Sequence, residues 1–284
     1  MKKTITEFIL SWIEENLENN ITVGQLAAIT GYSERSIHIL FKDNCGMTIG
    51  KYIRNRRLCR TAFLLKLTSR KITEIAITYG FDSLQSYSRE FKKLFSVSPR
   101  EYRNCDIWDF SAIQPKYLQS YDSCPAFERC TLKTQQLHGY QTHYQLAFEN
   151  HAEMLSFIKW PALLKTMRLW EHDIYCVSSF APCKQRNNIL HVNSFTGMLN
   201  NGCIDIAKPI RFKTSPGEYI KFSFSGDWNQ YKKFSFDIYT KTLPRHGIIR
   251  RAGADIEHFR FSKNNIQCND SAIIELDHYI PVIL

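Results

Sequence analysis

Two kinds of apolar spacing run along this chain, and one gives way to the other near residue 129. Up to about residue 105 the apolar positions recur every three to four residues, the period of an amphipathic helix. Val23, Leu26 and Ala27 form one such stripe, and Ile37, Leu40 and Phe41 a second. Ile49, Tyr52, Ile53, Leu58, Ala62 and Leu65 form a long third stripe. Ile72, Ile75 and Ala76 follow, then Tyr87, Phe91, Leu94 and Phe95. From about residue 129 the pattern predicts strands, over 138–148, 174–182, 189–197 and 217–226. In the last of these Ile220, Phe222 and Phe224 alternate with Tyr219, Lys221 and Ser223, which is the period of a half-buried strand. A helix is expected over 151–170, broken or begun near Pro161, and another after Asp227 on a Tyr231, Phe234, Ile238 stripe. A strand over 273–284 closes the chain, so the order is roughly β-α-β-β, twice.

This pattern predicts a multidomain protein. An all-α N-terminal domain takes residues 1–107, and an α+β domain with an antiparallel sheet takes 129–284. Residues 108–128 contain Pro115 and Pro125 and hold no period; they read as a linker, with an extended stretch packed on one domain.

The helical part repeats itself. Gly31 matches Gly80, Leu26-Ala27 matches Ile75-Ala76, and Tyr32 matches Phe81. One residue is then gained, and Phe41-Lys42 matches Phe91-Lys92 and Tyr52 matches Tyr102. Each copy reads as a short helix with alanine at its closest contact, a glycine suited to a left-handed cap, and a second helix capped by Ser33 or by Asp82-Ser83. Helix, tight glycine turn, capped helix is the helix-turn-helix pattern. The polar side of the second helix carries Arg35, His38, Ile39 and Lys42 in copy one, and Gln85, Ser88, Arg89 and Lys92 in copy two. Either row alone reads equally well as a solvated face. Two in one repeated unit point to the major groove of duplex DNA, where Arg reads guanine, Gln reads adenine and apolar groups meet the thymine methyl.

Between the copies, a helix of about 17 residues would span about 25 Å. It serves as a strut holding two heads about one DNA turn, ~34 Å, apart. Its arginines include Arg54 and Arg57, which with Lys42, Lys92 and Lys93 are the candidate phosphate contacts. The alternative for some of them is that they only solubilise the helix.

Charge adds weak support. The net charge is +10, of which residues 1–106 contribute +6, from 17 Lys+Arg against 11 Asp+Glu. A basic segment suits a polyanion, although basic surfaces also serve solubility. The nine cysteines form no CxxC pair, which suits a reduced compartment and ordinary thiols. The chain has neither a signal-peptide pattern nor an apolar run long enough to span a bilayer, so a cytoplasmic protein without membrane association is expected.

The residues GYSERSIHILFKDNCGMTIGKYIRNRRL and ITEIAITYGFDSLQSYSREFKKLFSVSPREYR resemble the AraC/XylS family DNA-binding domain over essentially all of residues 5–105. The resemblance rests on the GYS turn, the G-x-Y-I-R-x-R-R helix, IA-x-x-x-GF-x-S, FK-x-x-F and SP-x-x-Y-R. It implies base-reading roles for Arg35, His38 and Ile39, and for Gln85, Ser88 and Arg89. Copy two keeps the family's common Gln and Arg. Copy one departs where relatives often carry an aromatic at 35, Gln at 38 and Arg at 39. Ile39 cannot hydrogen-bond a base, so this head meets a thymine methyl or binds by duplex shape.

The second half resembles the GyrI-like small-molecule-binding domain, best over residues 217–261. The resemblance implies a cleft for a bulky cationic or amphipathic effector at the centre of the two β-α-β-β halves. Glu257 matches the pocket glutamate, and Trp228 and Tyr219 are candidate aromatic walls. The alternatives are core packing for the aromatics and a surface pair with Arg250 or Arg251 for Glu257.

The implied protein is a monomeric activator binding double-stranded DNA, contacting RNA polymerase and answering a small effector. A repressor or architectural binder without a ligand is the alternative. A GyrI-like hydrolase is a more distant one. No nucleophile elbow, HExxH or glycine-rich phosphate loop occurs, so no catalytic residue, metal or cofactor is assigned.

Overall fold

The computed structural model describes residues 2–117, 124–148, 151–199, 209–263 and 273–283. Residues 118–123 of the linker stretch, Cys203, Cys268 and the terminal Leu284 of the expected last strand lie outside the described residues. The chain divides into two compact units. The linker stretch is shared between them: Asp106–Ser111 and the residues from Cys124 belong with the second unit, and those from Ala112 with the first.

The first unit is helical. Its elements are α1 (Lys2–Glu15), α2 (Val23–Thr30), α3 (Glu34–Cys45), α4 (Ile49–Leu67), α5 (Ile72–Thr78), α6 (Leu84–Phe95) and α7 (Pro99–Asn104). The helix ends are written in the sequence. Thr22 and Gln25 form a reciprocal capping box at the start of α2, and Ser33 and Ser83 accept backbone N–H bonds at the starts of α3 and α6. Gly31 and Gly80 turn the chain at φ +72° and +69°, a region other residues enter at a cost. The core is the apolar side of every helix, with Leu26, Ile37, Phe41, Leu58, Ala62, Ile75, Tyr87 and Phe91 at 2% exposure or less. The repeat survives in the packing. Phe41 meets Tyr52 edge-on at 5.6 Å and 61°, and Phe91 meets Tyr102 edge-on at 5.4 Å and 77°.

Residues 112–117 run along α4. Asn55 donates to the Gln114 side chain at 3.1 Å, the Gln114 N–H lies 3.2 Å from Cys59 Sγ, and Arg56 donates to the Gln114 carbonyl.

The second unit contains β1 (Trp108–Asp109), β2 (Glu128–Leu132), β3 (Gln136–Ala147), α8 (His151–Trp170), β4 (Ile174–Pro182), β5 (Ile189–Leu199), β6 (Ile210–Lys213), β7 (Gly217–Gly226), α9 (Trp228–Asp237), β8 (Ile249–Arg250), β9 (Asp255–Arg260) and β10 (Ile274–Ile283). Every strand pair is antiparallel, in the order β6-β3-β5-β4-β9-β10-β7-β2, and the end of β10 also pairs with β8, which pairs with β1. Two halves are visible in that order. β3-α8-β4-β5 and β7-α9-β9-β10 each contribute three adjacent strands, and the halves join through β4 and β9. At the join Cys176 faces Glu257 in register. One side of the sheet packs with α8 and α9 around Leu163, Met167, Ile174, Cys176, Tyr231, Phe259 and Leu276. A separate apolar cluster holds Leu137, Tyr175, Val177, Phe195, Tyr219 and Ile256.

Candidate functional site

In the first unit, α3 and α6 are each anchored by three or four buried side chains. Ile37, Leu40, Phe41 and Cys45 hold α3, and Tyr87, Phe91 and Phe95 hold α6. On an α-helix a residue three or four positions away shares a face, so the opposite side of each helix is left outward. On α3 that side carries Arg35, His38, Ile39 and Lys42, all exposed, with Ile39 at 52%. On α6 it carries Gln85, Arg89, Lys92 and Lys93, all exposed, and Ser88, half-buried. The first-turn bonds, Ser36 N–H to Ser33 Oγ at 3.2 Å and Ser86 N–H to Ser83 Oγ at 3.1 Å, fix where each row begins.

The arginines of α4 divide into two kinds. Arg54 is exposed, its side chain at 58%, and lies 3.7 Å from Glu90. Arg56 forms a buried pair with Glu14, at 2.6 Å from Nε and 3.0 Å from Nη2, and Tyr52 donates to the same carboxylate at 2.7 Å. Arg57 donates to the carbonyls of Leu17 and Asn19 at 2.9 and 2.7 Å, so its guanidinium closes the turn after α1. The exposed row of α6 also has an acidic neighbour that sequence reasoning passed over. Glu90 lies 3.7 Å from both Arg54 and Arg89. Its position between an α4 and an α6 cation is a long-range fact that helical spacing does not contain.

In the second unit the structure brings Glu257 and Trp228 to the helix-covered side of the sheet. Glu257 is 6% exposed. Tyr231 donates to its Oε1 at 2.6 Å, and Lys159 of α8 donates to its Oε2. Burial pushes the Glu257 carboxyl up, but the Lys159 ammonium outweighs this, with help from His278 and from the Lys159 and Tyr231 hydrogen bonds, and holds it below its ordinary value. Trp228 stacks on Trp160, with centroids 4.7 Å apart and planes 11° from parallel. Tyr231 Oη also lies 3.0 Å from His278 Nδ1. Asp255 is paired with Arg250 at 2.9 Å and accepts from Tyr239. Burial pushes the Cys176 thiol up to about 11, so it is not a thiolate near neutral pH.

Tyr219 is placed elsewhere. It is 1% exposed in the separate cluster with Tyr175, Phe195 and Ile256, with its hydroxyl on the Ser215 carbonyl at 2.9 Å and Arg251 over its ring at 4.8 Å. Parity on β7 explains this. Tyr219 is an odd number of residues from Phe222 and Phe224, which pack toward α9, so it faces the other way. Lys159, Trp160 and His278 are absent from the sequence assignment: Lys159 reaches Glu257, His278 its partner Tyr231, and Trp160 the ring of Trp228, through tertiary packing that strand and helix periods do not encode.

Two glycine-turned helix pairs, joined by one long helix and each presenting an outward row on its second helix, define a double helix-turn-helix protein. The chain belongs to the AraC/XylS family of transcription regulators. The family model for a helix-turn-helix domain matches residues 26–104. Over 220 residues the chain is 36% identical to the putative HTH-type transcriptional regulator YkgA of Escherichia coli, covering 77% of this chain and 91% of that protein. It is 31% identical over 278 residues to the F1 operon positive regulatory protein of Yersinia pestis, covering 95% and 87%. Against the transcriptional regulator Rob of Salmonella typhimurium it is 28% identical over 280 residues, covering 96% of each. No described helix is long and apolar enough to cross a membrane.

Proposed function

We propose that this chain is a monomeric transcription activator that places α3 and α6 in successive major grooves of one duplex and reports the binding of a small effector to its second unit. On this reading residues 1–107 are the DNA-binding domain, 108–128 a linker, and 129–284 a GyrI-like regulatory domain. The observation that carries the reading is the pair of outward rows on α3 and α6, related by the internal repeat and set on either side of one 19-residue helix. A helix of that length spans about 28 Å, close to the ~34 Å of one DNA turn. Two heads in one chain need no dimer symmetry, so the expected site is asymmetric and about 20 bp long.

Arg35, His38 and Ile39, and Gln85, Ser88 and Arg89, then meet base edges. Arg54, Lys42, Lys92 and Lys93 meet phosphates. Arg57, held by two carbonyls, serves mainly to fix the turn after α1. Activation suits a relative named as a positive regulator, and implies that the bound protein touches RNA polymerase. The effector reading is supported by a buried carboxylate whose tyrosine partner, Tyr231, lies 5.5 Å from the stacked ring of Trp228, carboxylate and aromatic chemistry of the kind that attracts an aromatic or amphipathic cation. Selection of bound duplexes from a random pool, followed by a promoter-reporter assay with the selected site, tests the reading. It fails if no sequence is enriched, and the activator part fails if an enriched site lowers transcription.

A further inference from the structure

The carboxylate of Glu257 already holds a cation, and that cation belongs to the chain. Lys159 donates to Oε2 while Tyr231 occupies Oε1, so both oxygens are engaged. The residue after Lys159, Trp160, covers Trp228 face to face. Two consecutive residues of α8 thus supply an ammonium and an aromatic ring, the two parts that an aromatic cation would bring to this place. The other buried carboxylate on this face of the same strand is served differently. Asp255 takes its counter-charge from Arg250 on β8, within the sheet. Glu257 takes its own from a helix, next to Pro161, which cannot donate a backbone bond and so leaves that turn of α8 one hydrogen bond short.

Charge counting gives the consequence. With Lys159 in place the Glu257 site is neutral, and a second cation brought there would meet an ammonium rather than a bare carboxylate. With Lys159 withdrawn, an unpaired buried carboxylate remains, which is costly until another cation arrives. Occupation by Lys159 and occupation by an external cation are therefore mutually exclusive.

We propose that Lys159 and Trp160 are a resident occupant of the effector site, and that an aromatic organic cation binds by displacing the Lys159 ammonium from Glu257 and the Trp160 ring from Trp228. This rests on the reading of the second unit as effector-binding. It adds that the chain sets its own affinity, because the competent state is the one with Lys159 withdrawn, and apparent affinity is reduced by the fraction of time the site is occupied from within.

The test uses the full-length chain and tetraphenylphosphonium as probe, by calorimetry, with wild type, Lys159→Met, Glu257→Gln and the double variant. The expected result is that Lys159→Met binds roughly ten-fold or more tightly than wild type. The double variant, whose pair is neutral and leaves no buried charge, is expected to lose that gain. Wild type and Lys159→Met binding equally, or Lys159→Met binding more weakly, overturns the displacement while leaving the effector site standing. No binding by any variant overturns the effector reading itself and the displacement with it. A second readout needs neither charge variant. The stacked indoles of wild type are expected to give an exciton-coupled circular dichroism band, absent in Trp160→Leu, and displacement predicts that it fades as the probe saturates. Saturation with that band intact contradicts the displacement.

Discussion

Arg57 lies against the backbone of Gly80: a Cβ built on Gly80 would sit 2.8 Å from Arg57 Nη1. The guanidinium is not free to yield, because it is bonded to the carbonyls of Leu17 and Asn19. The equivalent glycine of the first copy, Gly31, has the same left-handed φ but open space where a side chain would go. Gly31→Ala should therefore cost about 1–2 kcal/mol, the price of the backbone conformation. Gly80→Ala should cost about 2–4 kcal/mol, since a hydrogen-bonded guanidinium must also move. Urea unfolding followed by helical signal measures both, and equal losses would mean that Arg57 gives way freely.

Arg89 and Arg54 should separate under the same binding assay. Arg89→Ala is expected to cost about 1–3 kcal/mol at one base pair and to relax specificity there. Arg54→Ala should weaken all duplexes alike and flatten the salt slope by about one unit. A uniform loss for Arg89→Ala would make it a backbone contact. Arg57→Ala should instead appear chiefly as lost stability.

Glu90 stands between these two cations, 3.7 Å from each, and must be repelled by an incoming phosphate. Glu90→Gln is expected to raise affinity for random duplex by about three- to ten-fold at low salt, and to narrow the gap between specific and non-specific sites. Fluorescence anisotropy with a random and a selected duplex reads both. Unchanged non-specific binding would place Glu90 away from the duplex.

The second unit should carry an acid-sensitive share of its stability at Asp255. Burial alone would raise this carboxyl, but Arg250, His278 and Tyr239 outweigh it and hold it at about 2 rather than 3.8. A depressed native pKa means stability that is fully present above about 3.8 and is lost as pH falls toward about 2. The share is about 2 kcal/mol. Near-ultraviolet circular dichroism melts from pH 5 to pH 2 should steepen over that window, and Asp255→Asn should flatten them. An unchanged acid limb in the variant would move the effect to other carboxylates.

Local signals carried much of this structure. Helix ends follow from Ser33, Ser83 and Asp227, whose side chains cap α3, α6 and α9 at the expected positions. The strands over 174–182 and 217–226 match β4 and β7 end to end, because short β-branched and aromatic runs between turn residues leave little freedom in their limits. The doubled β-α-β-β order was readable for the same reason. Pro161 sits inside α8 rather than starting it, since packing against the sheet outweighs one missing hydrogen bond. What was not readable was long-range. Nothing local distinguishes Arg54, in solvent, from Arg56, buried on Glu14, or Arg57, bound to two carbonyls. Nor does any local pattern bring Lys159 to Glu257 across 98 residues of chain. The side of the sheet taken by Tyr219 was legible, because its parity with Phe222 and Phe224 is in the sequence.

The central claim is that the rows on α3 and α6 enter neighbouring grooves of one duplex. Selection from random duplexes with the full chain at physiological salt, followed by hydroxyl-radical footprinting of the enriched site, tests it most directly. The account predicts an asymmetric site of about 20 bp with two protected segments one helical turn apart, and base preference in the α6 segment that Arg89→Ala abolishes at one position. Equal affinity for every duplex, or a single protected segment unaltered by changes at Arg35 and His38, would contradict it.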